Sequence, residues 1–442
     1  LDYISNIRFG NNFDNSNWGF VFKKILRDIS RKETEMHIIL FRYSARVVML
    51  NHLFKTNSIV IVPKSQEQKY ITFEAEGNPL PNVIFIEDYT LPNIILEIRK
   101  IEKSRMIESI TTLSEEDMDW VGLLHDHFVK GNSRFASNSM FKDKYLMRSL
   151  LIDKVKQPYF RLLESQDDYE KFWLQITGNT AIVKPRYGAG SEEVFKINRG
   201  DKISVKYFSG KYLIEDFISL SRMMTCDGYA FGAKVCRFFS HEYEELLLDS
   251  LNTTKEIVVR TNKLYSTKIS LIEKVYEECI KVLSEFSVEG ELTPFHFEWF
   301  YSEQTEELLF CEVGKRFGGA EIPKLIKYSF NIDILKEYWE ALIEGDKGSY
   351  VDGAKSLSIP VKISTTYSPY RKEGTLVSVP KQEEFDWTEN TYIFVKPGEK
   401  TENAQSIVEN NFMSQFTSKD ESDYQENLKK IRALTNKFLY ER

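Results

Sequence analysis

Short apolar runs recur early in the chain, at MHIILF (36–41), SIVIVP (58–63) and NVIFIE (82–87). Segments such as YSARVVMLNHLF, with helical apolar spacing, separate them. Continuous apolar runs between helical patterns predict βαβ units around a parallel sheet, because strands covered on both faces have no polar side. Residues 100–155 read mainly as helix, including EEDMDWVGLLHDHFVKG, which ends on Lys-Gly as helices often do. The following FASNSMFKDKYLMRSLL sets polar capping residues ahead of an apolar-periodic stretch. From 180 to 240 the texture changes to strands: TAIVKP, EVFKI, KYLIEDFI and YAFGAKVCRFF. A long amphipathic helix over about 267–287 then precedes FHFEWF and ELLFCEV, which YSEQTE joins as a hairpin. The last hundred residues predict a helix in NIDILKEYWEALIEG, a strand-rich portion from 356 to 396, and a terminal helix from about 420. That helix starts acidic and ends basic, which complements its dipole.

At 442 residues the chain exceeds one ordinary hydrophobic core, so two or three domains are expected. The net charge of −7 comes from interspersed signs, with no basic stripe of the kind a phosphate backbone demands, which argues against a nucleic-acid partner. No apolar stretch approaches the roughly 18 to 20 residues that cross a bilayer. LDYISNIRFG also lacks a basic start followed by an apolar run, so no membrane partner and a cytoplasmic location are expected. Cys226, Cys236, Cys279 and Cys311 form no C-x-x-C pair and read as reduced core thiols. His125 and His127 stand two apart on a predicted helix, so their side chains diverge by about 200° and a shared metal is disfavoured.

Three segments carry chemistry. In AIVKPRYGAGSEEVFKI a strand delivers Lys184 and a turn, Gly188-Ala189-Gly190-Ser191, leads into the next strand. Glycines adopt the positive φ that lets backbone N–H groups fold around phosphate oxygens, although alone such a turn is more often a tight hairpin. In KYLIEDFI apolar residues surround Glu215 and Asp216, as in a segment that offers its backbone to an adenine edge or, more plainly, an edge strand with solvent-facing acids. FHFEWF and ELLFCEVGKRFGG set His296 and Glu298 on one strand face, with Glu312 opposite Glu298. Two adjacent inward carboxylates repel unless a cation joins them, and oxygen-only ligands favour Mg²⁺. Arg316, ahead of Phe317-Gly318-Gly319, has the fork to clamp a carboxylate.

In this order, Lys144 in FKDKYLMR, Lys184, Glu215, Glu298, Glu312 and Arg316 resemble the ATP-grasp superfamily. The phrases are most similar to the carboxylate–amine ligase branch that holds L-amino-acid ligases and carnosine-synthase-like enzymes. The resemblance spans roughly residues 1–400 and implies an α/β chain: a Rossmann-like N-terminal domain followed by a two-lobed ATP-grasp fold. The implied divisions are 1–132 for the N-terminal domain, 133–215 for the small lobe with connecting helices and phosphate loop, and 216–442 for the large lobe with a C-terminal subdomain. It further implies that Lys144 and Lys184 contact ATP phosphates, that Gly188, Gly190 and Ser191 form a phosphate-covering loop, and that Glu215, Phe217 and Ile218 form the adenine hinge. Glu298 and Glu312 match the ligands of Mg²⁺ (or Mn²⁺), Arg316 the substrate-carboxylate arginine, and His296 a histidine often found two residues before the first metal ligand. Two positions depart from the pattern: Arg222 stands where a ribose-binding Glu is common, and Gly314 where many members have Asn.

The implied reaction is ATP-dependent formation of an acyl phosphate from an amino acid or related acid, with acyl transfer to an amine. A carrier-protein thiol is the alternative acceptor, which would make an acyl carrier protein a partner, and a nucleotide-binding scaffold with a decayed site is the alternative of another class. Partners are otherwise small-molecule carboxylate and amine substrates. A homodimer is left open.

Overall fold

The computed structural model describes residues 35–129, 131–188, 190, 192–220, 222–250, 255–344 and 357–441. The part of the βαβ reading that falls on residues 1–34 lies outside them. The three early apolar runs form β1 (Glu35–Leu40), β2 (Ser58–Pro63) and β3 (Asn82–Ile86), which pair in parallel with β4 (Met106–Thr112) in the order β3-β2-β1-β4. Helix α1 (Glu67–Ala75) follows β2 and α2 (Leu91–Glu102) follows β3. Ile94, Ile98 and Ile101 of α2 recur at helical spacing and close over Ile38, Leu40 and Ile61. YSARVVMLNHLF does not form the expected helical run. Met49 takes φ 49° and divides it into 3₁₀ turns at Ala45–Val48 and Leu50–Leu53.

Helix α3 (Met118–Phe128) ends two residues before the expected Lys-Gly stop. After α4 (Phe135–Met140), helix α5 (Lys144–Leu150) starts at Asp143, whose carboxylate accepts from the backbone N–H of Tyr145 and Leu146. A four-stranded sheet follows in the order β5-β8-β6-β7, from β5 (Phe160–Leu162), β6 (Thr180–Pro185), β7 (Phe195–Asn198) and β8 (Tyr212–Asp216). Helix α6 (Gln166–Gln175) buries Phe172 and Trp173 against Val183 and Ile214 of this sheet.

The remaining chain builds an eight-stranded sheet, β13-β12-β9-β10-β11-β14-β18-β16. YAFGAKVCRFF is not one strand but the turn of a hairpin, β9 (Arg222–Phe231) and β10 (Lys234–Tyr243), reversed at Gly232 with φ 57°. Strand β11 (Glu256–Thr261) was not legible as a separate element. Helix α7 (Ile269–Phe286) buries a stripe of Leu271, Ile272, Val275, Cys279, Val282, Leu283 and Phe286 against the apolar side of β12 (Leu292–Tyr301) and β13 (Leu308–Gly314). Helices α8 (Ile322–Phe330) and α9 (Ile334–Glu344) join a different core, with Phe239 and Val259. Strands β14 (Ile363–Pro369), β16 (Asn390–Ile393) and β18 (Phe412–Ser418) extend the sheet. A small sheet, β17-β15-β19, uses Lys400–Thr401, Gly374–Ser378 and Leu439–Glu441. The terminal helix α10 (Glu421–Thr435) is capped by Asp420, which accepts from the N–H of Asp423. Among the described residues no helix is long and apolar enough to cross a membrane.

Candidate active site

The four-stranded sheet β5-β8-β6-β7 and the β12–β13 edge of the eight-stranded sheet line one cavity, and charged side chains from both meet there. On β6 and β8 the register places Ile182 opposite Glu215 and Lys184 opposite Leu213, so Lys184 and Glu215 lie diagonally on one face. Lys184 Nζ is 2.8 Å from Glu215 Oε2. Arg148, four residues after Lys144 on α5, grips the same carboxylate with Nε 2.5 Å from Oε1 and Nη2 3.1 Å from Oε2. The guanidinium also donates to the carbonyls of Phe310 and Cys311 on β13, at 3.0 and 2.9 Å. Burial alone would raise the Glu215 carboxyl, but Arg148 and Lys184 hold it below its ordinary value. The carboxylate is therefore committed to two cations. Strand β8 ends at Asp216, which lines the same cavity as Phe217 and Ile218 beyond it.

Lys144 opens α5 with its Nζ between two partners, 2.8 Å from the Gly188 carbonyl, to which it donates, and 3.5 Å from Glu312 Oε2. Gly188 and Gly190 adopt φ of 140° and 66°, a region that side chains disfavour, so this turn requires its glycines. Ser191, the remaining candidate of the loop, lies outside the described residues, as does Ala189. From the far end of the chain, Ser406 donates its hydroxyl to the Gly190 carbonyl at 3.2 Å.

Glu298 and Glu312 are opposite one another in the β12–β13 register. The Tyr243 hydroxyl donates to Glu298 Oε1 at 3.1 Å, and His296 Nε2 stands 3.7 Å from the same oxygen. Burial works to raise Glu312, yet Lys144, Lys184, Arg316 and His296 together hold it down at about 2, so it is ionised. Among the described residues no cluster of three or more His, Cys, Asp or Glu could hold a metal unaided. Two facing carboxylates with only oxygen donors fit a hard cation such as Mg²⁺ that completes its shell from phosphate and water. His296 is buried against Asp227, which outweighs the burial and raises the imidazole to about 9. Arg316 is not an open fork: its Nε donates to Glu115 Oε2 at 2.8 Å and its Nη1 to the Phe317 carbonyl at 3.0 Å.

Nine of the twelve sequence-derived candidates line one cavity: Lys144 and Lys184, the two glycines, the Glu215–Phe217–Ile218 segment, and the glutamate pair. Ile182, Met223 and Leu246 supply apolar wall. His296 and Arg316 do not line it. Arg222 turns to Glu303, at 3.9 Å, and Gly314 pairs with His296 across the hairpin. Sequence reasoning missed Arg148, Glu115, Tyr243 and Asp227. Of these only Arg148 left a signal, as a second basic residue one helical turn after Lys144.

No family model and no curated protein matches this chain. Solved structures do. An L-amino acid ligase from Bacillus licheniformis superposes with a TM-score of 0.66 at 15% identity, over 92% of this chain and 99% of that one. Phosphoribosylglycinamide synthetase from Anaerococcus prevotii gives 0.64 at 10% identity, over 92% and 99%. N5-carboxyaminoimidazole synthase from Aspergillus clavatus, in complex with ADP and its aminoimidazole ribonucleotide, gives 0.64 at 10% identity, over 91% and 99%. At such identities the likeness establishes a shared fold.

Proposed function

We propose that this chain, whose fold is that of the ATP-grasp ligases, is an ATP- and Mg²⁺-dependent carboxylate ligase that makes an acyl phosphate and passes the acyl group to an amine. The observation that carries the reading is the single cavity lined by two lysines, a glycine turn and two facing glutamates. In this reading residues 1–132 form the N-terminal unit, 133–215 the small lobe and 216–442 the large lobe.

ATP would lie between the lobes, with its adenine against the backbone around Phe217 and Ile218 and its phosphates between Lys144, Lys184 and the turn at Gly188 and Gly190. Glu298 and Glu312 would hold Mg²⁺, which would supply neutralisation of phosphate charge. The protein's part is positioning and charge. A substrate carboxylate oxygen held by Arg316 attacks the γ-phosphorus, and ADP leaves. An amine then attacks the acyl carbon, Arg316 stabilises the oxyanion, and phosphate departs. Arg316 already carries Glu115 as a counter-ion, so a substrate carboxylate enters beside a formed ion pair rather than an isolated cation. The reading requires no covalent acyl-enzyme, because the phosphate is itself the leaving group.

The test is an ADP-release screen of amino acids, singly and in pairs, with mass spectrometry of the products. ADP release that requires two amino acids and yields a dipeptide supports the amine acceptor. Turnover with one acid only when a carrier protein is added would replace the amine by a thiol. No nucleotide hydrolysis and no nucleotide binding under any condition would refute the ligase assignment.

A further inference from the structure

We infer that Asp227 is a positioning residue that ties the loop carrying Arg316 to the strand carrying Glu298, so that grip on a carboxylate and grip on a divalent cation are set together. This rests on the ligase reading above, to which Asp227 itself contributed nothing.

Asp227 stands mid-strand on β9, fully buried and directly opposite His296 on β12. A carboxylate removed from water is costly unless its lone pairs are taken. Three donors take them. His296 Nδ1 and the Gly318 backbone N–H reach Oδ1 at 2.9 and 2.8 Å, and the Thr225 hydroxyl reaches Oδ2 at 3.0 Å. Thr225 is local, two residues away on the same strand. The other two connect separate parts of the site. Holding Nδ1 fixes the imidazole so that Nε2 faces Glu298 Oε1, at 3.7 Å. Holding the Gly318 N–H anchors the chain two residues beyond Arg316, whose fork depends on where that loop lies. One oxygen atom thus sits at the joint between the two halves of the proposed chemistry.

The joint has no slack. A Cβ on Gly318 would fall 2.7 Å from Asp227 Oδ1, 2.7 Å from His296 Nδ1 and 2.6 Å from Ile322 Cδ1. Close packing of this kind passes a displacement on rather than absorbing it. A cation that draws Glu298 therefore shifts His296 and, through Asp227, the position of the Gly318 amide.

Hydrogen exchange of the 314–320 segment in the full chain tests this, with and without saturating Mn²⁺ and ADP, alongside calorimetric binding of the same pair. In the parent, Mn²⁺·ADP slows exchange in the segment by about fivefold or more, the lower end of ordinary coupling between sites. Asp227→Ala, still saturated with Mn²⁺·ADP, loses that slowing. Asp227→Asn, which keeps an acceptor oxygen in place, restores most of it. Gly318→Ala, which wedges the joint from the loop side and leaves Asp227 intact, loses it as Asp227→Ala does and serves if the latter fails to fold. A carboxylate with a merely structural role would raise exchange with and without ligand alike and leave the ratio at the parental value, which overturns the inference. Parental protein that binds Mn²⁺·ADP without any slowing overturns it too and leaves the ligase reading standing. Parental protein that does not bind Mn²⁺·ADP overturns both.

Discussion

Replacing Arg148 by Met tests whether the buried ion cluster ties β8 to β13 or is only packed there. The Arg148 side chain is 1% exposed and spends four donor contacts on Glu215 and on the carbonyls of Phe310 and Cys311. Met keeps much of the volume but leaves Glu215 with Lys184 as its one cation in this cluster, and leaves two buried carbonyls short of a donor. Breaking a buried pair by removing one partner costs about 3–5 kcal/mol. Lys184 is then drawn more tightly to Glu215 and becomes less available to a phosphate, so nucleotide affinity falls as well. Urea denaturation measures the first effect and calorimetry with an ATP analogue the second. The decisive form is a double-mutant cycle with Glu215→Gln. In that background the carboxylate charge is gone, and Arg148→Met should cost about 1–3 kcal/mol less than it does alone. Equal costs in the two backgrounds would show that Arg148 acts through volume and not through Glu215, and the buried ion cluster would lose its energetic meaning.

Glu298→Gln and Glu312→Gln should each abolish turnover with the fold intact, because either change costs several kcal/mol of phosphate neutralisation in the barrier; near-parental rates at saturating Mg²⁺ would reduce the pair to a polar strand face. Arg316→Lys should hold the nucleotide almost normally yet lose ligation by about a hundredfold or more, on the scale of a lost oxyanion donor, because Lys lacks the planar fork; equal weakening of both would move Arg316 to the nucleotide. Burial holds His37, His125 and His241 neutral, with each imidazole lowered from 6.5 to about 4. Between these values the unfolded chain takes up protons that the native chain refuses, so this contribution is complete above about pH 6.5 and is lost progressively as pH falls towards about 4. Urea midpoints at pH 7.5 and pH 5 should show the loss, and His37→Asn should lessen it. A parental pH dependence in that variant would exclude His37 as a contributor.

Three strands of the parallel sheet were legible because they are unbroken apolar runs, whereas β4 (MIESITT) falls in the stretch 100–155 that reads mainly as helix, because Glu108, Ser109 and two threonines break its apolar run. The β12–β13 hairpin was legible because alternation sets Glu298 and Glu312 at matching steps. The split of YSARVVMLNHLF into two 3₁₀ turns was not, since one left-handed residue, Met49, decides it and apolar spacing does not report backbone sign. The hairpin inside YAFGAKVCRFF was missed because Gly232 is flanked by residues that suit a strand equally well. At the site, the residues that line the cavity stand in short phrases with glycines or carboxylates at strand spacing. Those that support them do not: Glu115 meets Arg316 across 201 residues, and Asp227 meets Gly318 across 91. Long-range partners of this kind are fixed by tertiary packing, and no local period marks them.

The hydroxyl of Ser406 reaches the Gly190 carbonyl across 216 residues of chain. On a ribosome, the parallel sheet and the four-stranded sheet β5-β8-β6-β7 are made well before residue 406 emerges, and each can settle on its own contacts. The glycine turn gains this partner only after that residue has emerged. A chain released before residue 406 could hold most of its secondary structure and both lysines while its glycine turn remained without the Ser406 contact. Support of the glycine turn thus waits on a loop made 216 residues later, and that loop acts as a check on synthesis as well as a part of the architecture.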